Sequence, residues 1–435
     1  MSEALTFPSS LPDDAWQRLP ARLAVPTLIS LLCSPATLYL DRNVASLIVF
    51  PIIALGCLSL LWTIELDYLT GWSSLFAVYV FCNGLLSFAL FNHQVTEVVG
   101  ALTPVLECWA CFQIGKKCNY STEKAFSLWQ LALWFVLMRA SLQLCLFFSN
   151  HADLLHYPIY KGAGQNGQYF EPLFNVAGWR VQRLIDPVCC AFVIPGLILF
   201  PKLRRLAKLT LLSTLGVSLL SFMRAAWIGS VGALSYFAAK SGTLKRLIFW
   251  GILTLAVFGA ASAYFGIGLN LYDRVFTYTE TQIFNPAYSL QQLRFLEYRT
   301  AWDALSKDFL FGSGLGGRLG TWVTDALGKS EWVLIHNYWL DLFAEIGLVG
   351  LFLFFGVLDG IRCWLRSSYQ TGNTKLILAA MTLFIWYGVF VAFQPIYATY
   401  HIPALGALFL GMANSRSTTV LTAPNQSPSG IRGEL

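Results

Sequence analysis

Apolar residues recur along this chain in runs close to the ~20 residues with which a helix crosses a ~30 Å hydrocarbon core. They fall at about residues 23–40, 44–62, 72–91, 97–114, 125–148, 184–200, 206–222, 225–239, 247–265, 338–361, 376–393 and 396–413. The pattern predicts an all-α polytopic membrane protein of about 12 transmembrane helices with two long outer loops. The expected order is N-terminal transmembrane helices over 1–148, a first outer loop over 149–183 and central transmembrane helices over 184–265. A large outer loop with an interfacial helix follows over 266–337, then C-terminal transmembrane helices over 338–415 and a Ser-, Pro- and Gly-rich tail over 416–435 read as disordered and internal. The polar leader before the first run lacks a small-residue cleavage site, so that run reads as a retained helix.

Composition agrees: 56% hydrophobic against 12% charged side chains excludes an ordinary soluble surface. The ten Cys sit mostly inside apolar runs, where Cys acts as a small hydrophobe. Cys108-Trp-Ala-Cys111 has no second pair to complete a metal site. We therefore expect neither metal nor cofactor. The net charge of +6 follows from where the basic residues stand. Lys116, Lys117 and Lys124, then Lys202, Arg204, Arg205 and Lys208, then Lys240, Lys245 and Arg246, and finally Arg362, Arg366 and Lys375 all fall in alternate short segments. Positive-inside orientation puts those segments and both termini inside and the long loops outside. No nucleic-acid partner is needed to explain the charge.

The outer segments carry Arg180, Arg183, Arg274, Arg294, Arg299 and Arg318, with Arg224 near the outer end of a helix pair. Such Arg residues can anchor loops to headgroups or pair with acids, but the planar guanidinium also grips phosphate oxygens bidentately. Residues 294–305 read as an interfacial helix with Phe295, Tyr298, Trp302, Leu305 and Phe309 on one face and Arg294 and Arg299 flanking it. Gly312-Ser-Gly-Leu-Gly-Gly then allows a tight turn, and Ile335-His-Asn-Tyr-Trp stands at the mouth of the next membrane helix. His336 beside Asn337 and opposite several Arg is a candidate general base, because cationic neighbours favour neutral imidazole.

His336-Asn-Tyr-Trp-Leu followed by Glu345-Ile-Gly-Leu-Val-Gly resembles the signature of the O-antigen ligase and O-unit (exopolysaccharide) polymerase superfamily of bacterial membrane glycosyltransferases. Ser221-Phe-Met-Arg224, Arg294 with Tyr298 and the Gly312 turn, and Arg180 with Pro187 are similar to further family segments, in family order. The resemblance implies transfer of an undecaprenyl-pyrophosphate-linked glycan, at the periplasmic face of the inner membrane, to a glycan or lipid A core acceptor. It implies catalytic roles for His336, Arg224 and Arg294, and substrate binding by Arg180, Arg183, Arg299, Asn337, Tyr338 and Tyr298. Membrane lipids, and other polysaccharide-assembly membrane proteins, are the further partners it admits. Arg180-Val-Gln-Arg-Leu-Ile-Asp-Pro-Val looks more like the polymerases, with a ligase acting on lipid A core or a protein as the alternative. A transporter or flippase would need a polar path through the membrane. The chain offers Arg139, one turn before Gln143, with Glu107, Asp341, Glu345 and Asp359 as lesser candidates.

Overall fold

The computed structural model describes residues 22–29, 31–32, 67–91, 93, 95–118, 120, 122–148, 160–161, 179–180, 188–221, 224–240, 245, 248–249, 289–317, 320–324, 330–334, 337–368, 374–392 and 401–421. Ten named helices make up the body: α1 (Tyr68–Leu90), α2 (Val95–Lys117), α3 (Thr122–Phe148), α4 (Val188–Ile198), α5 (Arg204–Ser221), α6 (Arg224–Lys240), α7 (Ser289–Lys307), α8 (Tyr338–Ser368), α9 (Thr374–Val391) and α10 (His401–Leu421). Among the described residues, five stretches are long and apolar enough to cross a membrane: Tyr68–Leu90, Val98–Lys117, Glu123–Leu142, Tyr338–Arg366 and Thr374–Val391. This is a multi-pass helical membrane protein. The apolar run at 44–62 and most of that at 247–265 lie outside the described residues.

The segments expected to be outer loops are not purely irregular. β1 (Tyr160–Lys161) pairs antiparallel with β2 (Trp179–Arg180), and β3 (Gly320–Thr324) pairs antiparallel with β4 (Ser330–Leu334), Gly320 opposite Leu334. The second hairpin ties the exit of the Gly-rich turn to the approach to α8. A polar segment gains from pairing its own backbone before the chain turns back into lipid.

Large side chains knit the core. Trp129 of α3 lies between Phe192 of α4 and Phe409 of α10, with centroids at 4.8 and 4.7 Å, and its indole N–H donates to the Phe192 carbonyl at 3.2 Å. α2 and α10 approach closely because Gly115 and Gly411 face each other's helix; a Cβ on either would strike the Leu408 or Phe112 carbonyl. Close approach through small residues is how helices gain contact in lipid, where apolar burial alone drives little association.

Helix ends that the charge pattern groups together also meet in space. At one end Asp67 caps α1 by accepting from Thr70 N at 2.6 Å, and Lys116 of α2 reaches the same carboxylate at 2.6 Å, with Asn414 of α10 at 3.5 Å. Tyr68 bonds Asp359 of α8 at the same end. At the other end His93 meets Leu315, and Trp339 of α8 donates to the Gly388 carbonyl of α9 at 2.9 Å. Arg139 is held by the Leu32 carbonyl at 3.4 Å.

Burial works against the charge on Asp67, but the bonds from Lys116 and Thr70 outweigh it and hold the carboxyl below its ordinary value of 3.8. A lowered folded-state value stabilises the fold above the unfolded value, and that contribution is lost as pH falls through the folded one. Thermal stability in detergent should therefore fall progressively below about pH 3.8. Asp67→Asn should start less stable and lose less over that window.

Candidate functional site

The centre of the site region is a helix broken inside the membrane. α8 departs from helical geometry at Gly347 (φ 63°, ψ −168°). Only glycine occupies that region of backbone space without strain. A break in an apolar helix orphans backbone groups that cost several kcal/mol each in hydrocarbon, so something must replace the lost bonds.

The replacement comes from the turn that follows α7. Leu348 N–H, which in an unbroken helix would bond the Ala344 carbonyl, donates to Phe309 O at 2.9 Å, and Val349 N–H donates to Leu310 O at 3.1 Å. The carbonyls they abandon are taken over: Ser313 N–H donates to Ala344 O at 2.9 Å and Gly314 N–H to Glu345 O at 3.1 Å. The two chains touch backbone to backbone, since a Cβ on Gly312 would strike Glu345 O and one on Gly347 would strike Gly312 N. Gly312, Gly314 and Gly316 take φ of 79°, 84° and 79°, which winds the turn tightly enough to present its N–H groups in succession. Asp308 starts it, its side chain accepting from Phe311 N and its carbonyl from Gly312 N.

Helix α1 closes the joint from the other side. Asn83 donates to Phe311 O at 3.0 Å and accepts from Leu315 N at 3.1 Å, Tyr79 donates to Ile346 O at 2.6 Å, and His93 Nδ1–H donates to Leu315 O at 2.9 Å. Glu345, 6% exposed, accepts from Gly316 N at 3.1 Å through its side chain. Asn83 and Tyr79 had no signal in the sequence beyond being polar within an apolar run. Glu345 stood out as an intramembrane acid and as the first residue of Glu345-Ile-Gly-Leu-Val-Gly, neither of which named its partner. Glu345 belongs to this joint and not to a polar conduit.

The expected site residues divide as follows. His336 and Arg183 lie outside the described residues. Arg180 is in β2 opposite Tyr160, and only its backbone is described. Arg224 opens α6, about 7.5 Å along the axis from Gly229. Gly229 packs on Trp386 and Gly232 on Val389, flanking the Gly388 that accepts from Trp339. Arg294 is on α7, two turns before Ala301. At Ala301 α7 faces α8: Ala301 and Ala344 are buried together, with Leu305 and Leu340 against them. The contacts descend both helices together, Phe309 with Leu348 and then Ala301 with Ala344.

One expectation changes. Leu305 does not share the outward aromatic face, because it turns in toward α8, while Tyr298 and Trp302 are 51% and 66% exposed. Arg299 points away from the joint and makes an exposed ion pair with Asp303 at 3.8 Å, of the kind worth little in solvent. Asn337 caps α8, its Oδ1 accepting from Leu340 N at 3.2 Å, and Tyr338 and Trp339 turn into the body of the protein. There they line a cavity of about 560 Å³ between α1, α2, α8, α9 and α10, walled almost entirely by apolar side chains such as Phe76, Val105, Phe354 and Leu410. In α8 its wall runs from Tyr338 at one end to Ile361 at the other. In the first turn of α8, Asp341 Oδ1 is buried without a partner among the described residues.

A family model described as O-antigen ligase matches residues 209–355, a stretch that holds nearly all of α5, the whole of α6, α7 and the Gly turn, and α8 past its break. No curated protein matches the chain.

Gly312→Ala and Gly347→Ala should each leave little folded protein, since each adds a methyl against backbone at a positive φ. Gly71→Ala, with nothing within 4 Å of its added Cβ, should be neutral or slightly stabilising. Recovery of monodisperse protein and its melting temperature check the contrast. A well-folded Gly347→Ala protein would contradict the geometry.

Proposed function

We propose, from the O-antigen ligase and O-unit polymerase superfamily that the match over residues 209–355 supports, that this chain is an inner-membrane glycosyltransferase polymerising lipid-linked repeat units at the periplasmic face. The donor is an undecaprenyl-pyrophosphate-linked glycan. Arg180, Arg224 and Arg294 hold the pyrophosphate, and His336 removes the proton from the acceptor hydroxyl. The hydroxyl oxygen attacks the anomeric carbon from the face opposite the leaving group. The bond from that carbon to the pyrophosphate oxygen breaks, the configuration inverts, and the electron pair leaves on a pyrophosphate whose charge the guanidinium groups offset. A pyrophosphate leaves well enough that these two tasks suffice without metal.

The observation that carries this reading is the joint at Gly347. It fastens α7, the helix of Arg294, along α8, whose first turn follows His336 directly in sequence. The course of the α7 and α8 contacts leads back toward that turn, where Asp341 has a buried oxygen in need of a cation or a donor. The apolar cavity beneath Tyr338 and Trp339 suits a hydrocarbon chain, as a lipid-linked donor requires, and its walls offer no polar conduit for a transporter. The ligase alternative has the family description in its favour.

Topology tests the face. An impermeant thiol reagent should label Cys placed at Gly164 or Lys329 in intact cells and not Cys placed at Lys240. Labelling at 240 alone would overturn the outer-face assignment.

Chemistry tests the roles. Purified protein in detergent with chelator should transfer glycan, and His336→Ala should lose ~10²- to 10⁴-fold in rate while still binding donor. Arg294→Lys should weaken donor binding or slow departure of the pyrophosphate, because an ammonium lacks the fork. A His336→Ala enzyme within about threefold of wild type would remove the base, since general bases contribute more than that. Deletion of the gene should leave single repeat units on the lipid; long unattached chains would identify a ligase.

A further inference from the structure

We infer that Glu345 is a positioning residue for glycosyl transfer, clamping the Gly turn so that Arg294 is held in place relative to the His336 end of α8; this rests on the function proposed above. A carboxylate inside a membrane span is costly and is kept only where it does something an apolar side chain cannot. Glu345 is 6% exposed and sits within the span Tyr338–Arg366. Four successive N–H groups of the turn have assigned acceptors: Ser313 on Ala344 O, Gly314 on Glu345 O, Leu315 on Asn83 Oδ1 and Gly316 on Glu345 Oε1. Glu345 therefore grips the turn through both its backbone and its side chain.

Leverage gives this grip a consequence for the reaction. Asp308 welds the turn to the end of α7 through its carboxylate and its carbonyl, so turn and helix move together. Arg294 is 14 residues back from Asp308, about 21 Å along the helix, so a small tilt at the clamp becomes a larger displacement at Arg294. Misplacement of a reacting group by about 1 Å can cost ~10²-fold in rate.

The test compares wild type, Glu345→Ala and Glu345→Gln by transfer kinetics and by hydrogen exchange of the peptide covering residues 309–317. Glu345→Ala should lose roughly 10²-fold in kcat, with a smaller change in donor KM, and its 309–317 amides should exchange faster. Glu345→Gln retains an oxygen acceptor for Gly316 and should recover most of the rate and most of the protection. If Glu345→Ala does not fold, Glu345→Asp, which withdraws the carboxylate by one methylene, should show the same paired loss. Wild-type kcat in the Ala or Asp variant, or a loss of kcat with unchanged exchange over 309–317, would overturn the positioning role. Absence of transfer by wild type would instead overturn the function itself, while the exchange data would still report whether the clamp exists.

Discussion

The exchange of backbone hydrogen bonds between the broken helix α8 and the Gly turn is the constraint on which the rest of the site depends. Hydrocarbon gives an exposed N–H or C=O nothing to bond, so a chain can leave helical geometry there only if another segment supplies the missing partners one for one. Phe309 and Leu310 accept the freed N–H groups, and Ser313 and Gly314 fill the freed carbonyls. Because the exchange requires backbone contact, both chains must be glycine where they meet, at 312 and 347. The result is a rigid weld between two segments that also pack together at Ala301 and Ala344.

That weld explains why polar residues of the first half of the chain are drawn into a site whose family match begins at residue 209. Asn83, Tyr79 and His93 are buttresses: each bonds the backbone of the joint and none needs to touch a substrate. One end of the membrane body carries a structural ion pair, Lys116 with Asp67, and the proposed function assigns the chemistry of Arg and His to the other. Between them runs an apolar cavity whose upper wall is the first turn of α8. A lipid-linked donor has the same division of character, charged at the interface and hydrocarbon below.

Much of the helical framework was legible because membrane helices announce themselves by length: α1, α2, α3, α8 and α9 fall on predicted runs. The Gly312 turn and the helix start after His336 were legible for local reasons, a cluster of glycines and the onset of the apolar run at 338. The joint itself was not. Its pairing of Gly312 with Gly347 is a contact between positions far apart in sequence, and a glycine in an apolar run signals close approach without naming what approaches. The aromatic stripe of α7 misled in part, since periodicity places Leu305 beside Trp302 but cannot say that α8 takes Ala301 and Leu305 while Trp302 stays exposed. Asn337 and Tyr338 sat in the right segment, but periodicity could not show that one caps α8 and the other lines a cavity.

The most direct measurement is the proximity of Arg294 and His336 in the folded protein. With the ten native cysteines replaced, Arg294→Cys and His336→Cys can be joined by short bifunctional thiol reagents in native membranes. A joint that fixes α7 along α8 predicts efficient cross-linking by a short spacer. It further predicts that this cross-link weakens when Glu345→Ala loosens the turn. Well-folded protein in which the two thiols never cross-link would contradict it, as would a cross-link indifferent to Glu345.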